Sequence, residues 1–192
     1  MAFTYRVGTT DNKGWGFSGW TGLSSAEQTA VRDVLNEYES IANVKFNPVA
    51  ASAEANIDFA HVNLGWNGGQ GGFKYSSFTN NGVTTIDEDG YAVFSQGFDV
   101  SVAANRGILV HEFGHAMTLK HPGNYDVGGV PVPPPYLPAG EDSQKYTIMS
   151  YTANPDNNLL SDHLMIYDIA ALQARFGANM SYHTGDDTYT GS

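Results

Sequence analysis

Apolar residues recur at three- and four-residue spacing along SSAEQTAVRDVLNEYESIA, at Val31, Val34, Leu35, Tyr38 and Ile41, the stripe of an amphipathic helix laid on a core. Ser24 or Ser25 stands where such a helix needs its N-cap. Short apolar runs at 44–46 and 57–60 predict strands, whereas NLGWNGGQGG is too rich in glycine for regular structure and reads as a loop or bulge. Asn81-Gly82 after FKYSSFT and Asp89-Gly90 before YAVF are hairpin signals, so the sheet is expected to be mixed. A second helix is predicted from near Ser101 through ANRGILVHEFGHAM, and a last one over roughly 161–176 with Met165, Ile169, Leu172 and Phe176 on one face. Between them, Pro131, Pro133, Pro134, Pro135 and Pro138 predict an irregular loop. No internal repeat or interdomain linker interrupts the pattern.

Composition narrows the function classes. The 192 residues suit one core and one domain, and 41% apolar and 12% aromatic content with 22 glycines is a globular α/β or α+β profile. A net charge of −11 repels phosphate backbones and anionic lipid, which argues against nucleic acid and membrane surfaces as partners. The absence of cysteine excludes disulfides and thiolate metal sites. The first residues, MAFTYRVGTT, lack the regions of a signal peptide, and no apolar run approaches the length of a membrane span.

The chemistry concentrates in HEFGHAMTLKHPG, which holds three of the chain's six histidines. On a helix His111 and His115 lie one turn apart and point the same way, as two imidazoles sharing one zinc ion must. Glu112 lies beside them, off the ligand face, where it can take a proton from an attacking water. Two surface histidines on an amphipathic helix would show the same spacing, but His121 changes the balance. A continuing helix would carry it ~9 Å along the axis. The chain is therefore expected to leave the helix near Met117 or Thr118 and fold back, which Pro122 and Gly123 favour. Three nitrogen ligands leave one position open, the arrangement of a catalytic rather than a structural zinc.

Together with TIMSY at 147–151 and YDIAALQARFGAN at 167–179, this stretch resembles the serralysin-type metzincin zinc endopeptidases, with weaker similarity back through SGWTGLSSAEQTAVRDVLNEYESIANVKF. The resemblance implies an α/β (α+β) metzincin-like zincin. Its upper lobe, about 1–121, would hold a twisted mixed sheet and two helices, and its irregular lower lobe, about 122–192, would end in a helix. It also implies a secreted bacterial protein, one catalytic Zn2+ on His111, His115 and His121, and Glu112 as general base. Met149 falls at the methionine beneath the metal, with an ordinary core methionine as the competing reading. Tyr151 falls at the tyrosine that can ligate the metal, or swing away and donate to the oxyanion; an ordinary packed tyrosine is the competing reading. Asp168 is expected to support the methionine turn, or else to be a solvated surface aspartate. GGFKYSSF, with Gly72, Phe73, Lys74 and Tyr75, is the candidate edge strand for an extended polypeptide substrate, against a plain hairpin strand. The expected protein is a monomer. His61, His163 and His183 have no partner spacing and read as structural or surface groups, and the DEDG turn at 87–90 could attract calcium but lacks the ligand spacing of a calcium loop and reads as a solvated hairpin.

Two departures bear on this reading. Serralysins continue into glycine- and aspartate-rich calcium-binding repeats, whereas TGDDTYTGS closes this sequence without a GGxGxD repeat, so a trimmed catalytic unit or a naturally short relative is expected. Thr118 stands where the family pattern has glycine, so the turn is either strained or built differently, and the strained, left-handed form is the expectation. A proteolytically silent zinc-containing binding module, and a cytosolic peptidase acting on short peptides, are the rival functions. Retention of Glu112 and Tyr151 argues against the first, and an edge-strand cleft against the second.

Overall fold

The computed structural model describes residues 1–80, 83–126, 131–182 and 184–185. Strand β1 (Ala2–Val7) is followed by helix α1 (Ser25–Ile41), strands β2 (Lys45–Pro48), β3 (Ile57–Val62), β4 (Gly69–Asn80) and β5 (Val83–Ser95), then helices α2 (Arg106–Ala116) and α3 (Ile166–Phe176). The five strands form one mixed sheet in the order β2-β1-β3-β5-β4. Its pairs are parallel except for the last, in which β4 runs antiparallel to β5 and forms an edge. The fold is α+β.

Helix α1 begins where the sequence places its cap. The Ser24 side chain accepts from the Glu27 N–H at 3.3 Å and the Glu27 carboxylate accepts from the Ser24 N–H at 2.8 Å, a reciprocal pair that satisfies two otherwise orphaned donors. Its apolar stripe then buries Val31, Val34, Leu35 and Tyr38 against one face of the sheet. Phe113 of α2 lies in the same core, with ring centroids 4.6 Å from Tyr38, 5.3 Å from Phe46 and 5.6 Å from Phe59. The opposite face of the sheet is covered more thinly, by Phe17 and Trp20 packing over Ala60, Val62 and Val93.

Four sequence expectations are corrected. The glycine-rich stretch is not all loop, because β4 starts at Gly69 and uses Gly71 and Gly72 as strand residues. Its glycines are required by close packing: a Cβ on Gly71 would lie 2.0 Å from the Glu112 carbonyl oxygen. Asp89-Gly90 is not a hairpin turn but an interior part of β5, where Gly90 pairs with both Ile57 and Phe73. Helix α2 starts at Arg106, after a 3-10 turn at Ala103–Asn105, rather than near Ser101. Helix α3 starts at Ile166, where the Asp168 carboxylate takes the Met165 N–H at 2.8 Å. The predicted Asn81-Gly82 turn lies outside the described residues, between the paired strands β4 and β5.

Candidate metal centre and cleft

Helix α2 is apolar on the side that meets the sheet, where Leu109, Val110 and Phe113 are buried, and presents His111 and His115 on the other. Gly114 lies within it because a Cβ there would stand 2.8 Å from the Met149 sulfur. The helix ends in a Schellman arrangement: the Leu119 N–H bonds the Gly114 carbonyl at 2.9 Å and the Thr118 N–H bonds the His115 carbonyl at 3.0 Å. That closure requires a left-handed residue between helix and exit, and Thr118 takes it with φ of 72°. The chain then turns back and brings His121 over the helix.

The three imidazoles meet at their Nε2 atoms. His121 Nε2 lies 3.2 Å from that of His111 and 3.1 Å from that of His115. Each Nδ1 lies 2.9 Å from a backbone carbonyl, of Ile148, Leu119 and Tyr125 respectively. A carbonyl can only accept, so each Nδ1 carries the proton and each Nε2 turns a lone pair inward. Burial and the neighbouring His115 hold His111 down to about 3, and burial with His121 holds His115 down to about 4, so both rings are neutral near pH 7. Three neutral lone pairs this close repel one another unless a cation lies among them. Tetrahedral ligands at ~2.05 Å from zinc stand about 3.3 Å apart, close to the observed separations. The donor set therefore fits zinc.

Glu112 is largely buried between α2 and β4, with the Gly71 N–H as its partner. Burial pushes its carboxyl up to about 8, and the charge of Asp126 acts in the same direction. Glu112, the three histidines and Tyr151 line one cleft of about 600 Å³, whose opposite edge is β4 from Gly69 to Phe73. Tyr151 is 49% exposed, and its ring centroid stands 4.6 Å from that of His121 and 5.9 Å from that of His111.

Beneath the metal centre Met149 is buried against Gly114. Asp168 is also buried and accepts from the Thr147 hydroxyl at 2.6 Å and the Ile148 N–H at 2.7 Å. It thus holds, at its N–H, the residue Ile148 whose carbonyl orients His111.

Of the proposed substrate residues, Gly72 and Phe73 line the cleft, whereas Lys74 and Tyr75 do not. Strand alternation turns Lys74 to the far face, where its ammonium sits 4.4 Å from the Trp15 ring centroid and donates to the Lys13 carbonyl. Tyr75 is exposed. His61 is a buried structural group between Glu27 and the Ser95 carbonyl, His163 contacts Glu37 at the surface, and His183 lies outside the described residues. The DEDG segment is not a solvated turn either, since Asp89 is buried and paired with Lys13 at 2.8 Å.

Two contributors escaped the sequence reading. Gly69 and Gly71 admit Glu112 to the strand, and their signal was the two-residue spacing of glycines on one strand face. Tyr125 orients His121 through its carbonyl, while its hydroxyl donates to Asp142 at 2.6 Å; burial and that carboxylate push its phenol up to about 12. Nothing in the local pattern marked it.

No family model matches the chain. It is 31% identical to a serralysin of Proteus mirabilis over 186 residues, which covers 87% of this chain and 38% of that one. It is 29% identical to the metallopeptidase AprA of Pseudomonas marginalis, over 91% of this chain and 39% of that one. A serralysin of Photorhabdus laumondii subsp. laumondii matches 98% of this chain at 26% identity and 41% of its own length. The chain thus spans about two fifths of the length of the curated relatives it matches. Among solved structures, that of myroilysin superposes with a TM-score of 0.52 and 14% identity, covering 94% of each chain, which is a likeness of fold. Over the region that it shares with these relatives, the chain belongs to the serralysin-type metzincins.

Proposed function

We propose that the chain is a zinc-dependent endopeptidase that hydrolyses peptide bonds within an extended polypeptide. The observation that supports it most is the convergence of three Nε2 lone pairs beside a half-buried glutamate, in a cleft bordered by an edge strand. His111, His115 and His121 would hold the ion. Zinc, when bound, supplies a Lewis acid that polarises a carbonyl and makes a water nucleophilic near neutral pH.

The protein's own groups do the rest. Strand β4 offers the edge that faces away from β5 to the substrate backbone, which would add as a further strand and be held by main-chain hydrogen bonds. Glu112 takes the proton of the attacking water as the C–O bond forms, and returns it to the amine nitrogen as the C–N bond breaks. Burial raises the proton affinity of its carboxyl, which favours the first half of that exchange. Tyr151, at the cleft rim beside His121, donates its hydroxyl to the oxygen that gains charge. Asp168 and Met149 keep the histidines in place from below. The family resemblance supports action outside a bacterial cell, and among the described residues no helix is long and apolar enough to cross a membrane.

Metal analysis with casein cleavage tests the proposal. One zinc per chain and cleavage abolished by a chelator and restored by zinc are expected. Glu112→Ala is expected to keep its zinc and lose turnover. Cleavage that survives complete removal of metal, or an unimpaired Glu112→Ala protein, would overturn it.

A further inference from the structure

Among the described residues the cleft walls carry three acidic or basic side chains besides the histidines: Glu112, Lys120 and Asp126. Glu112 is half-buried beside the histidines and engaged with the Gly71 N–H. The Lys120 ammonium is taken up by the Pro133 and Pro135 carbonyls, each at 2.6 Å, and lies 5.2 Å from the Tyr136 ring centroid. That leaves Asp126. It is exposed, borders the cleft, and makes no hydrogen bond or ion pair among the described residues. The rest of the wall is largely apolar, with Trp66, Phe73, Leu119 and Val132.

We infer that Asp126 selects a cationic side chain, arginine or lysine, in the stretch of polypeptide that flanks the bond to be cut; this rests on the protease reading given above. A peptide laid along β4 presents alternate side chains to the cleft that β4 and Asp126 both line. Arginine and lysine bring an aliphatic stem that suits the apolar wall, and a charged head for a carboxylate that has no hydrogen-bond or ion-pair partner among the described residues. An acidic side chain in the same place meets like charge, so the site both attracts and rejects. The net charge of −11 works in the same direction at long range, by drawing cationic segments toward the protein. Lys120 does not cancel the effect, because two carbonyls already hold its ammonium.

The test uses peptides of one sequence with arginine, citrulline or glutamate at each position around the cleaved bond, cut by the zinc-loaded protein. Citrulline keeps the shape of arginine and removes the charge. At one position at least, kcat/KM for arginine is expected to exceed that for citrulline by about fivefold, the worth of a partly exposed ion pair, and to exceed glutamate by more. The arginine-to-citrulline ratio falls to about one in Asp126→Asn, is kept in Asp126→Glu, and shrinks at high salt. A ratio of one at every position in the parent, or a ratio unchanged in Asp126→Asn, would overturn the assignment. Fluorescence anisotropy with the Glu112→Ala protein separates this from failure of the protease reading. If no peptide is cut, tighter binding of the arginine form there still supports Asp126, and equal affinities overturn it.

Discussion

Thr118→Gly removes a Cβ from the left-handed position that closes helix α2, where φ is 72°. For an ordinary L-residue that conformation costs roughly 1–2 kcal/mol, and a β-branched side chain stands at the upper end. Glycine adopts it without penalty but enlarges the freedom of the unfolded chain, at a cost of roughly 0.4–1 kcal/mol. The threonine side chain is only half-buried, so few contacts are lost with it. The balance is a gain of about 1 kcal/mol, which for a chain of this size raises the unfolding midpoint by about 2–4 °C. The assay is thermal unfolding of zinc-loaded parent and variant, with metal content measured on the same samples. Thr118→Ala serves as control, since alanine keeps the Cβ and most of the strain, and should gain nothing. A midpoint for Thr118→Gly below that of the parent at equal zinc content would refute the strained-turn account. An equal gain in Thr118→Ala would show that relief of φ is not its source.

Tyr151→Phe is expected to lower kcat by about a hundredfold, the usual worth of one oxyanion donor, with most of the zinc retained; loss of zinc, measured by atomic absorption, would make the tyrosine chiefly a ligand. Asp168→Ala strands the Ile148 and Met165 N–H groups and the Thr147 hydroxyl, and by chemical denaturation should cost about 2–4 kcal/mol while weakening zinc binding through His111. A variant as stable as the parent would remove Asp168 from the support of the methionine segment. Gly71→Ala must push β4 away from the Glu112 carbonyl, so it should destabilise by about 3 kcal/mol and raise KM for long peptides; unchanged stability would mean that strand and helix do not approach as closely as described.

Where the sequence reading succeeded and where it failed have one physical source. Helix α1 was legible because capping and apolar periodicity are local, and the meeting of His111 and His115 was legible because HExxH places them one helical turn apart. The second half of the site depends on contacts between segments distant in the chain, and there local rules misled. Propensity read Gly71 as loop, although the family resemblance put it at the start of the edge strand, and read Gly90 as turn; both are strand residues on neighbouring strands. The same helix backs into each: a Cβ on Gly71 would meet the Glu112 carbonyl at 2.0 Å, and one on Gly90 would meet the Ala116 carbonyl at 2.8 Å. Residues 112 and 116 are one turn apart, so the two glycines form a track across β4 and β5 that follows α2. The track lets the helix settle closer to the sheet than side chains would permit, and it brings Glu112 against the edge strand. At Thr118 the reverse holds. There a threonine occupies a backbone conformation suited to glycine, because the return of His121 fixes the path of the chain whatever residue stands at the turn.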